Sequence, residues 1–246
     1  MGHGRVAMVT AGSRGIGAAT VCRLAADGWD VSFCHYEDEQ SALTVEKAAS
    51  ELGARVLALQ ADVTDGDQVT AWARQVEEEF GPVGAVVSCA GITRDHPLAR
   101  LDDADWHPVI DTGLDGVFHL CRATLFAMMR RQSGRIVIVS SVFGVYAHAP
   151  WGGYPAARSG IVGFTRELAA VTSRFGIQAN AIAPAVTVTD TTAIVPESTR
   201  NTLTETIILR RFGRAVEVAD RVAFLLSEEA RDLSGRVLQV PSGIWT

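Results

Sequence analysis

Lysine is almost absent from this chain: Lys47 is the only lysine among its 22 lysine and arginine residues. The formal net charge is −6 and no basic stripe occurs, so we expect no nucleic-acid partner. Apolar runs are far shorter than the roughly 20 residues of a membrane-spanning helix. The N-terminal stretch MGHGRVAMVT also lacks the pattern of a signal peptide. These absences favour a cytoplasmic protein that does not bind a membrane.

Cysteine is scarce as well, and its spacing shows no ligand pattern. Cys22, Cys34, Cys89 and Cys121 lie far apart, and no CxxC pair occurs. This spacing argues against a disulfide framework and predicts reduced, mostly buried thiols. We therefore expect no metal site.

Strand-like and helix-like segments alternate along all 246 residues, of which 48% are apolar. The strand-like segments are RVAMVTA, WDVSFCHY, ARVLALQADV, VGAVVSCAG, GRIVIVSSV, GIQANAIAPA and GRVLQVPSG. Strands separated by helices imply right-handed crossovers and a parallel sheet that is covered on both faces. The sequence predicts an α/β protein with one doubly wound parallel sheet, a Rossmann fold, in a single domain over residues 1–246.

One segment, Val186–Arg211, is rich in threonine and lacks clear periodicity. A long segment after a late strand of a doubly wound sheet is well placed to cover a ligand crevice. We predict a substrate lid over residues 186–211. Its threonine, isoleucine and leucine content favours a non-anionic, partly apolar substrate.

The stretch TAGSRGIG, Thr10–Gly17, follows the first strand and opens the first helix. Glycines let the backbone turn sharply and approach a pyrophosphate, while the helix N-terminal amides hold its negative charge. A glycine cluster at this position predicts a dinucleotide site. The predicted cofactor contacts are Gly12, Ser13, Arg14, Gly15, Ile16 and Gly17.

The second strand ends in SFCHYEDE, at the place where the sugar of a dinucleotide is usually recognised. Neither Cys34 nor His35 is acidic, and acidic residues begin only at Glu37. An acid here would bind a ribose 2′-hydroxyl and repel a 2′-phosphate, so its absence, together with Arg14, favours NADP(H) over NAD(H). The alternative is that Arg14 points to solvent. His35 and Tyr36 join the predicted cofactor contacts.

Two further strand ends lie at the same carboxyl edge, where ligands bind in such sheets. ADV ends the third strand and CAG the fourth. We predict cofactor contacts from Asp62, Val63, Ala90 and Gly91. Asp62 is suited to accept a hydrogen bond from an adenine amino group, or equally to cap the following helix.

Serines follow the fifth strand in VSSVFG, and the stretch WGGYPAARSG comes next. Tyr154 and Arg158 are spaced i, i+4 and therefore share one face of a helix. A neighbouring cation favours a phenolate; arginine supplies that charge, but it stays protonated and does not readily relay a proton. Ser141, Tyr154 and Arg158 are the predicted catalytic residues, and the last two are also predicted cofactor contacts.

Together these motifs resemble the short-chain dehydrogenase/reductase family, nearest its 3-oxoacyl-carrier-protein reductases. The similarity spans almost the whole chain, through VTAGSRGIG, ADVTD, AGITRD, GRIVIVSSVFG, YPAARSGIVGFTRELA and VAFLLSEEA. In that family a tyrosine handles the proton at the substrate oxygen, a serine positions that oxygen, and a lysine binds the nicotinamide ribose. The resemblance assigns these roles to Tyr154, Ser141 and Arg158, and it implies a homotetramer.

The chain departs from the family's pattern around the expected site. Ala11 replaces a loop glycine, Ser88 and Cys89 replace two asparagines, Ala185 replaces the glycine after Pro184, and Gly113 replaces a water-holding asparagine. Pro184 and Thr189 keep their family counterparts and complete the predicted cofactor contacts. We hypothesise that Gly113 leaves room for the guanidinium of Arg158, so that the two changes compensate.

These residues leave two classes of function open. The first is an NADPH-dependent ketoreductase that reduces a 3-oxoacyl or polyketide-like carbonyl, free or carrier-bound, with the proton from Tyr154. The second is a reductase-impaired member that serves as a scaffold or as a partner subunit of an active homologue, or that performs non-redox chemistry. The retained Ser141, Tyr154 and Arg14 favour the first class, and the altered positions favour the second.

Overall fold

Short runs rich in valine, isoleucine and alanine form one parallel sheet. This computed structural model describes residues 5–94, 96–146, 152–189, 197, 204–205, 207 and 209–240. The sheet strands are β1 (Arg5–Val9), β2 (Trp29–His35), β3 (Val56–Gln60), β4 (Val83–Ser88), β5 (Gly134–Val139), β6 (Ile177–Pro184) and β9 (Val237–Val240). Their order is β3-β2-β1-β4-β5-β6-β9, and every pairing is parallel. The direction of winding reverses between β1 and β4, and such a switch point opens a ligand crevice at the carboxyl ends of the strands.

Helices cover both faces of this sheet. They are α1 (Gly15–Ala26), α2 (Glu39–Ser50), α3 (Gly66–Phe80), α4 (Asp103–Ile110), α5 (Gly116–Arg131), α6 (Gly153–Thr172) and α7 (Ala215–Leu225). Apolar residues of α1, α2 and α7 pack on one face, and those of α3, α5 and α6 pack on the other. The predicted doubly wound Rossmann fold is confirmed.

The helix-like sequence from Asp103 to Gln132 does not form one continuous helix. A π-helical turn, Asp111–Asp115, separates α4 from α5 and contains Gly113. Pro108 lies just before it in α4, and both proline and glycine are poor helix formers. π turns inside helices often occur at functional sites, and this one lies beside α6.

Only the base of the predicted lid lies within the described residues. Thr187–Val188 (β7) pairs with Gly213–Arg214 (β8), and the Gly213 amide donates to the Val186 carbonyl at 2.8 Å. Residues 190–196, 198–203, 206 and 208 of the lid lie outside the described residues, as do residues 241–243 of the last predicted strand segment, GRVLQVPSG. The lid over residues 186–211 therefore stays a prediction.

Two further sequence expectations concern the cysteines and the membrane. All four cysteines are free thiols; Cys34 and Cys121 are buried, whereas Cys22 and Cys89 are partly exposed. Within the described ranges, no helix combines the length and the apolar character that crossing a membrane requires.

Candidate active site

Thr10 joins the carboxyl ends of β1 and β4. Its side chain is fully buried, and its Oγ1 accepts hydrogen bonds from the amides of Cys89 at 2.9 Å and Ala90 at 3.0 Å. Gly91 follows immediately and is exposed. The predicted contacts Ala90 and Gly91 therefore lie beside the glycine-rich loop.

Ala11 keeps the turn that the family's glycine makes. Its φ is +52°, in the left-handed region, which costs a residue with a side chain roughly 1–2 kcal/mol. A Cβ at Gly17 would come 2.0 Å from the carbonyl oxygen of Ala11, so glycine is required there. The loop therefore contains a strained alanine at this turn.

The glycine-rich loop packs directly on the end of β2. The Gly12 amide donates to the Cys34 carbonyl at 3.0 Å, and a Cβ on Gly12 would lie 2.5 Å from Cβ of Phe33. Ser13 is buried in the same turn, and Ile16 packs against the core. The sequence reasoning identified these loop residues but not their close contact with β2.

The N-terminus of α1 has no side-chain cap. Arg14 is the N-cap residue, and its side chain makes no capping hydrogen bond. The first-turn amides therefore remain suited to a pyrophosphate. Gly15 has a φ of +54°, and the methyl group of Thr189 lies 3.3 Å from the place of its missing Cβ. This contact brings Thr189, predicted from the far end of the chain, to the glycine-rich loop.

Two opposite charges meet at the end of β2. Arg14 Nε lies 3.2 Å from Asp38 Oδ2, so Arg14 is not simply pointing into solvent. His35 is 8% exposed, and within the part of the chain that the structure describes, its buried Nδ1 has no hydrogen-bond partner. Tyr36 is 58% exposed, and its carbonyl accepts a hydrogen bond from Gln60 Nε2 at 2.8 Å.

Asp62 does not cap the helix that follows it. Its Oδ1 accepts from both the amide and the hydroxyl of Thr64 at 2.8 Å, whereas Asp65 is the N-cap residue of α3. The capping alternative is therefore wrong, and adenine binding by Asp62 stays a prediction. Val63 is buried against α5, where its carbonyl accepts from His119 Nδ1 at 2.9 Å.

Ser141 and Tyr154 each lie at the N-terminal end of a helical segment, a 3-10 turn and α6 respectively. Ser141 is the N-cap of a 3-10 turn, and its Oγ accepts from the Phe143 amide at 3.3 Å. Tyr154 is the second residue of α6 and is partly exposed. Pro184, a predicted cofactor contact, is the last residue of β6 at the same edge.

The side chain of Arg158 is buried, and it contacts a backbone carbonyl and an aromatic ring. The residue is 6% exposed, Nη1 donates to the Val139 carbonyl at 2.9 Å, and Cζ lies 4.8 Å from the centroid of the Tyr154 ring. Ser140 Oγ donates to the Arg158 carbonyl at 2.8 Å and fixes that turn of α6. Among the described residues, no acidic group lies within 4.0 Å of this guanidinium. Such a cation over an aromatic face is attracted to it, and it keeps further N–H groups for a ligand.

The guanidinium of Arg158 packs against Gly91. A Cβ on Gly91 would come 2.0 Å from Arg158 Nη2. A Cβ on Gly113 would instead lie 3.3 Å from Cβ of Ala157, with no atom of Arg158 within 4 Å. The guanidinium therefore turns toward the end of β4, and the hypothesis that Gly113 makes room for it stays a prediction.

The arrangement fits a bound dinucleotide at three places. Helix α1 is uncapped, Nδ1 of His35 is buried without a described partner, and the buried guanidinium of Arg158 has N–H groups to spare. Burial raises the pKa of Cys34 to about 12, so that neighbouring thiol stays protonated and is a poor nucleophile. No cluster of three or more potential metal ligands occurs in the described segments.

Sequence reasoning missed three residues of this site. Thr10 and Ser140 organise the backbone: Thr10 Oγ1 accepts from two amides at the end of β4, and Ser140 Oγ donates to the Arg158 carbonyl. Asp38 is the third, and its signal was the acidic run that follows His35. The run begins two residues after β2 ends, and the side chain of Asp38 reaches back to Arg14.

The sequence model of the family described as short chain dehydrogenase matches residues 5–199. The 3-oxoacyl-acyl-carrier-protein reductase FabG of Staphylococcus aureus is 35% identical over 239 residues, covering 97% of this chain and 97% of that protein. FabG of Escherichia coli is 36% identical over 243 residues, covering 99% of this chain and 98% of that protein.

Two solved structures share this fold closely. The crystal structure of gox2181 has a TM-score of 0.93 and 32% sequence identity, covering 97% of this chain and 95% of its own. A variant of actinorhodin polyketide ketoreductase, crystallised with NADPH, has a TM-score of 0.93 and 30% identity, covering 98% of this chain and 97% of its own.

Proposed function

Because the chain belongs to the short-chain dehydrogenase family, we propose that it is a ketoreductase that uses NADPH to reduce a 3-oxoacyl or polyketide-like carbonyl. The observation that carries this proposal is the pairing of Tyr154 with Arg158. Cζ of a buried guanidinium lies 4.8 Å from the centroid of a phenol ring at the carboxyl edge of the sheet, and both residues belong to α6, which comes after the Ser141 turn in the chain.

A reduced nicotinamide dinucleotide, held by the glycine-rich loop and by the free N–H groups of Arg158, would supply a hydride to the carbonyl carbon. Tyr154 donates its hydroxyl proton to the carbonyl oxygen, which has taken the electron pair of the C=O double bond, and the product is an alcohol. Ser141 Oγ already accepts from the Phe143 amide, so its own hydrogen is available to donate to the substrate oxygen. Positioned acid catalysis of this kind contributes roughly 10²–10⁴-fold.

Arg158 has two roles in this proposal. Its permanent charge stabilises the phenolate that proton donation leaves on Tyr154, and its remaining N–H groups hold ribose hydroxyls of the cofactor. Arginine stays protonated, so the phenolate regains its proton from solvent and not through this side chain. The absence of a carboxylate near the guanidinium within the described part of the chain leaves its charge undivided.

We also propose the assembly and the surroundings of the site. The whole chain forms one domain, residues 186–211 cover the substrate, and the protein is a homotetramer or a hetero-oligomer with an active homologue. The substrate is a small molecule or is bound to a carrier protein. The names of the two FabG relatives, which are acyl-carrier-protein reductases, support a carrier-bound substrate, and the polyketide ketoreductase structure supports a related carbonyl compound.

The test is a fluorescence titration with NADPH, followed by its oxidation in the presence of a 3-oxoacyl thioester. The proposal predicts saturable binding and NADPH oxidation that depends on the thioester. Binding without oxidation of any thioester or carrier-bound substrate would contradict it and support non-redox chemistry or a partner role. Failure to bind a dinucleotide at all would support a scaffold.

A further inference from the structure

The adenosine end of the predicted cofactor site holds an ion pair that spans two helix starts. Arg14 is the N-cap residue of α1, Asp38 is the N-cap residue of α2, and their side chains approach to 3.2 Å. The Arg14 side chain is 58% exposed and that of Asp38 is 27% exposed. Because each residue begins a helix, their backbones are held in place, and the pair bridges the glycine-rich loop and the end of β2.

The two oxygens of Asp38 face different partners. Oδ1 accepts from the Ser41 amide at 3.1 Å and caps α2, while Oδ2 faces Arg14. Hydrogen bonds from the Ser41 hydroxyl and amide, and then the charges of Arg14 and His35, hold the pKa of this carboxyl below its usual range. The carboxylate is therefore charged throughout the neutral range.

His35 completes the group at the end of β2. It is the last residue of the strand, it is 8% exposed, and its buried Nδ1 lacks a partner within the described residues. In doubly wound sheets the ribose of the adenosine is recognised at this strand end. A polar atom that is buried without a partner favours a ligand there, since burial without a hydrogen bond is costly.

We propose that Asp38 is a specificity-determining residue that opposes the 2′-phosphate and so narrows the preference for NADPH over NADH. This inference rests on the proposed function. The 2′-phosphate of NADPH must share Arg14 with the carboxylate of Asp38, which already contacts Arg14. The 2′-hydroxyl of NADH can instead donate a hydrogen bond to that carboxylate. Attraction by Arg14 and repulsion by Asp38 therefore offset each other, and removing the carboxylate leaves the attraction alone.

The test uses Asp38→Ser, because serine removes the carboxylate charge and is itself a good helix N-cap. Dissociation constants are measured by titration for NADPH and NADH, and for 2′,5′-ADP and 5′-AMP, which probe the adenosine end alone. We expect Asp38→Ser to tighten 2′,5′-ADP and NADPH by on the order of tenfold, and to leave 5′-AMP within about threefold. Asp38→Asn, which keeps the shape of the side chain, should give the same result if the serine variant folds poorly.

Asp30→Ser is the matched control. Asp30 pairs with Arg55 at the opposite end of β2, so this variant loses the same charge outside the crevice. Its ratio of NADPH to NADH dissociation constants should equal that of the wild type. An unchanged ratio in both Asp38 variants would overturn the inference and leave the proposed function intact, whereas failure of the wild type to bind either dinucleotide would overturn both.

Discussion

Two arginines at the carboxyl edge of the sheet have opposite surroundings. Arg14, at the predicted adenosine end, is 58% exposed and lies 3.2 Å from a carboxylate. Arg158, at the predicted nicotinamide end, is 6% exposed and is held by a backbone carbonyl and the face of an aromatic ring. The charge of Arg14 is paired and screened by water, so we expect it to adjust cofactor affinity. The charge of Arg158 is buried with no carboxylate beside it in the described residues, so we expect the proposed chemistry to depend on it.

Arg158→Met should have the largest effect. It removes the buried charge and keeps most of the volume, so we expect the rate of carbonyl reduction to fall at least about 100-fold. The free energy of unfolding should change by no more than about 1 kcal/mol, because replacing a buried charge with an apolar group is often neutral or stabilising. Steady-state rates and urea denaturation measure the two quantities.

Arg135→Met is the control for that experiment. Arg158 contacts Val139 at the carboxyl end of β5, whereas Arg135 lies at the other end of that strand. Arg135 donates to the Ser227 carbonyl and pairs with Glu228. Its loss should cost about 1 kcal/mol of stability and leave the rate unchanged. Equal rates of carbonyl reduction in Arg158→Met and Arg135→Met would contradict the special role given to the buried charge of Arg158.

Gly91→Ala should act on the same guanidinium without removing it. The new Cβ would come 2.0 Å from Arg158 Nη2, so the guanidinium must move, and misplacement by about 1 Å can cost about 10²-fold in rate. Gly163→Ala in α6 is the control, since nothing lies within 4 Å of its Cβ. Gly163→Ala should stabilise α6 by up to about 1 kcal/mol and leave the rate of carbonyl reduction unchanged. A similar loss of rate in Gly91→Ala and Gly163→Ala would contradict the role assigned to the Arg158 guanidinium.

Ala11→Gly should relieve the strained turn beside the exposed arginine. With φ at +52°, alanine is disfavoured, and glycine should raise the free energy of unfolding by about 1 kcal/mol. Ala48→Gly, at an exposed position of α2, should lower it by about the same amount. Thermal denaturation of both variants checks the sign, and a loss of stability in Ala11→Gly would refute the strain.

Glu217→Gln should show the smallest effect, which depends on pH. Glu217 pairs with exposed Arg211 at 2.7 Å, and that hydrogen bond lowers the pKa of its carboxyl to about 2. A lowered pKa contributes stability above the unfolded value of about 4.3, and this contribution is lost as the pH falls toward 2. Urea denaturation should find the variant less stable by about 1 kcal/mol at most at pH 7, and by less at pH 3. A difference that grows on acidification would contradict this.

Much of the fold follows from local patterns. Alternating apolar runs and helix-like segments predicted the strands and helices, and α6 contains both Tyr154 and Arg158, as their spacing predicts. The π turn at Asp111–Asp115 was not predicted, because Pro108 and Gly113 weaken a helix without specifying which turn replaces it.

Local spacing also predicted part of the candidate site. The i, i+4 spacing placed Tyr154 and Arg158 on one helical face, and the structure brings ring and guanidinium together. The space at Gly91 and the reach of Asp38 to Arg14 depend on tertiary packing between distant segments. Long side chains choose among partners that only the folded sheet edge brings within reach, so spacing along the chain does not reveal them.

The most direct measurement compares NADPH oxidation by the wild type, Tyr154→Phe and Tyr146→Phe with a 3-oxoacyl thioester. Tyr146 is a neighbouring tyrosine whose hydroxyl accepts a hydrogen bond from Gln239. We predict that Tyr154→Phe loses roughly 10²–10⁴-fold in rate with NADPH binding unchanged within about threefold, and that Tyr146→Phe keeps the rate. Equal rates in the wild type and Tyr154→Phe would contradict the assignment of the phenol beside Arg158 as the proton donor.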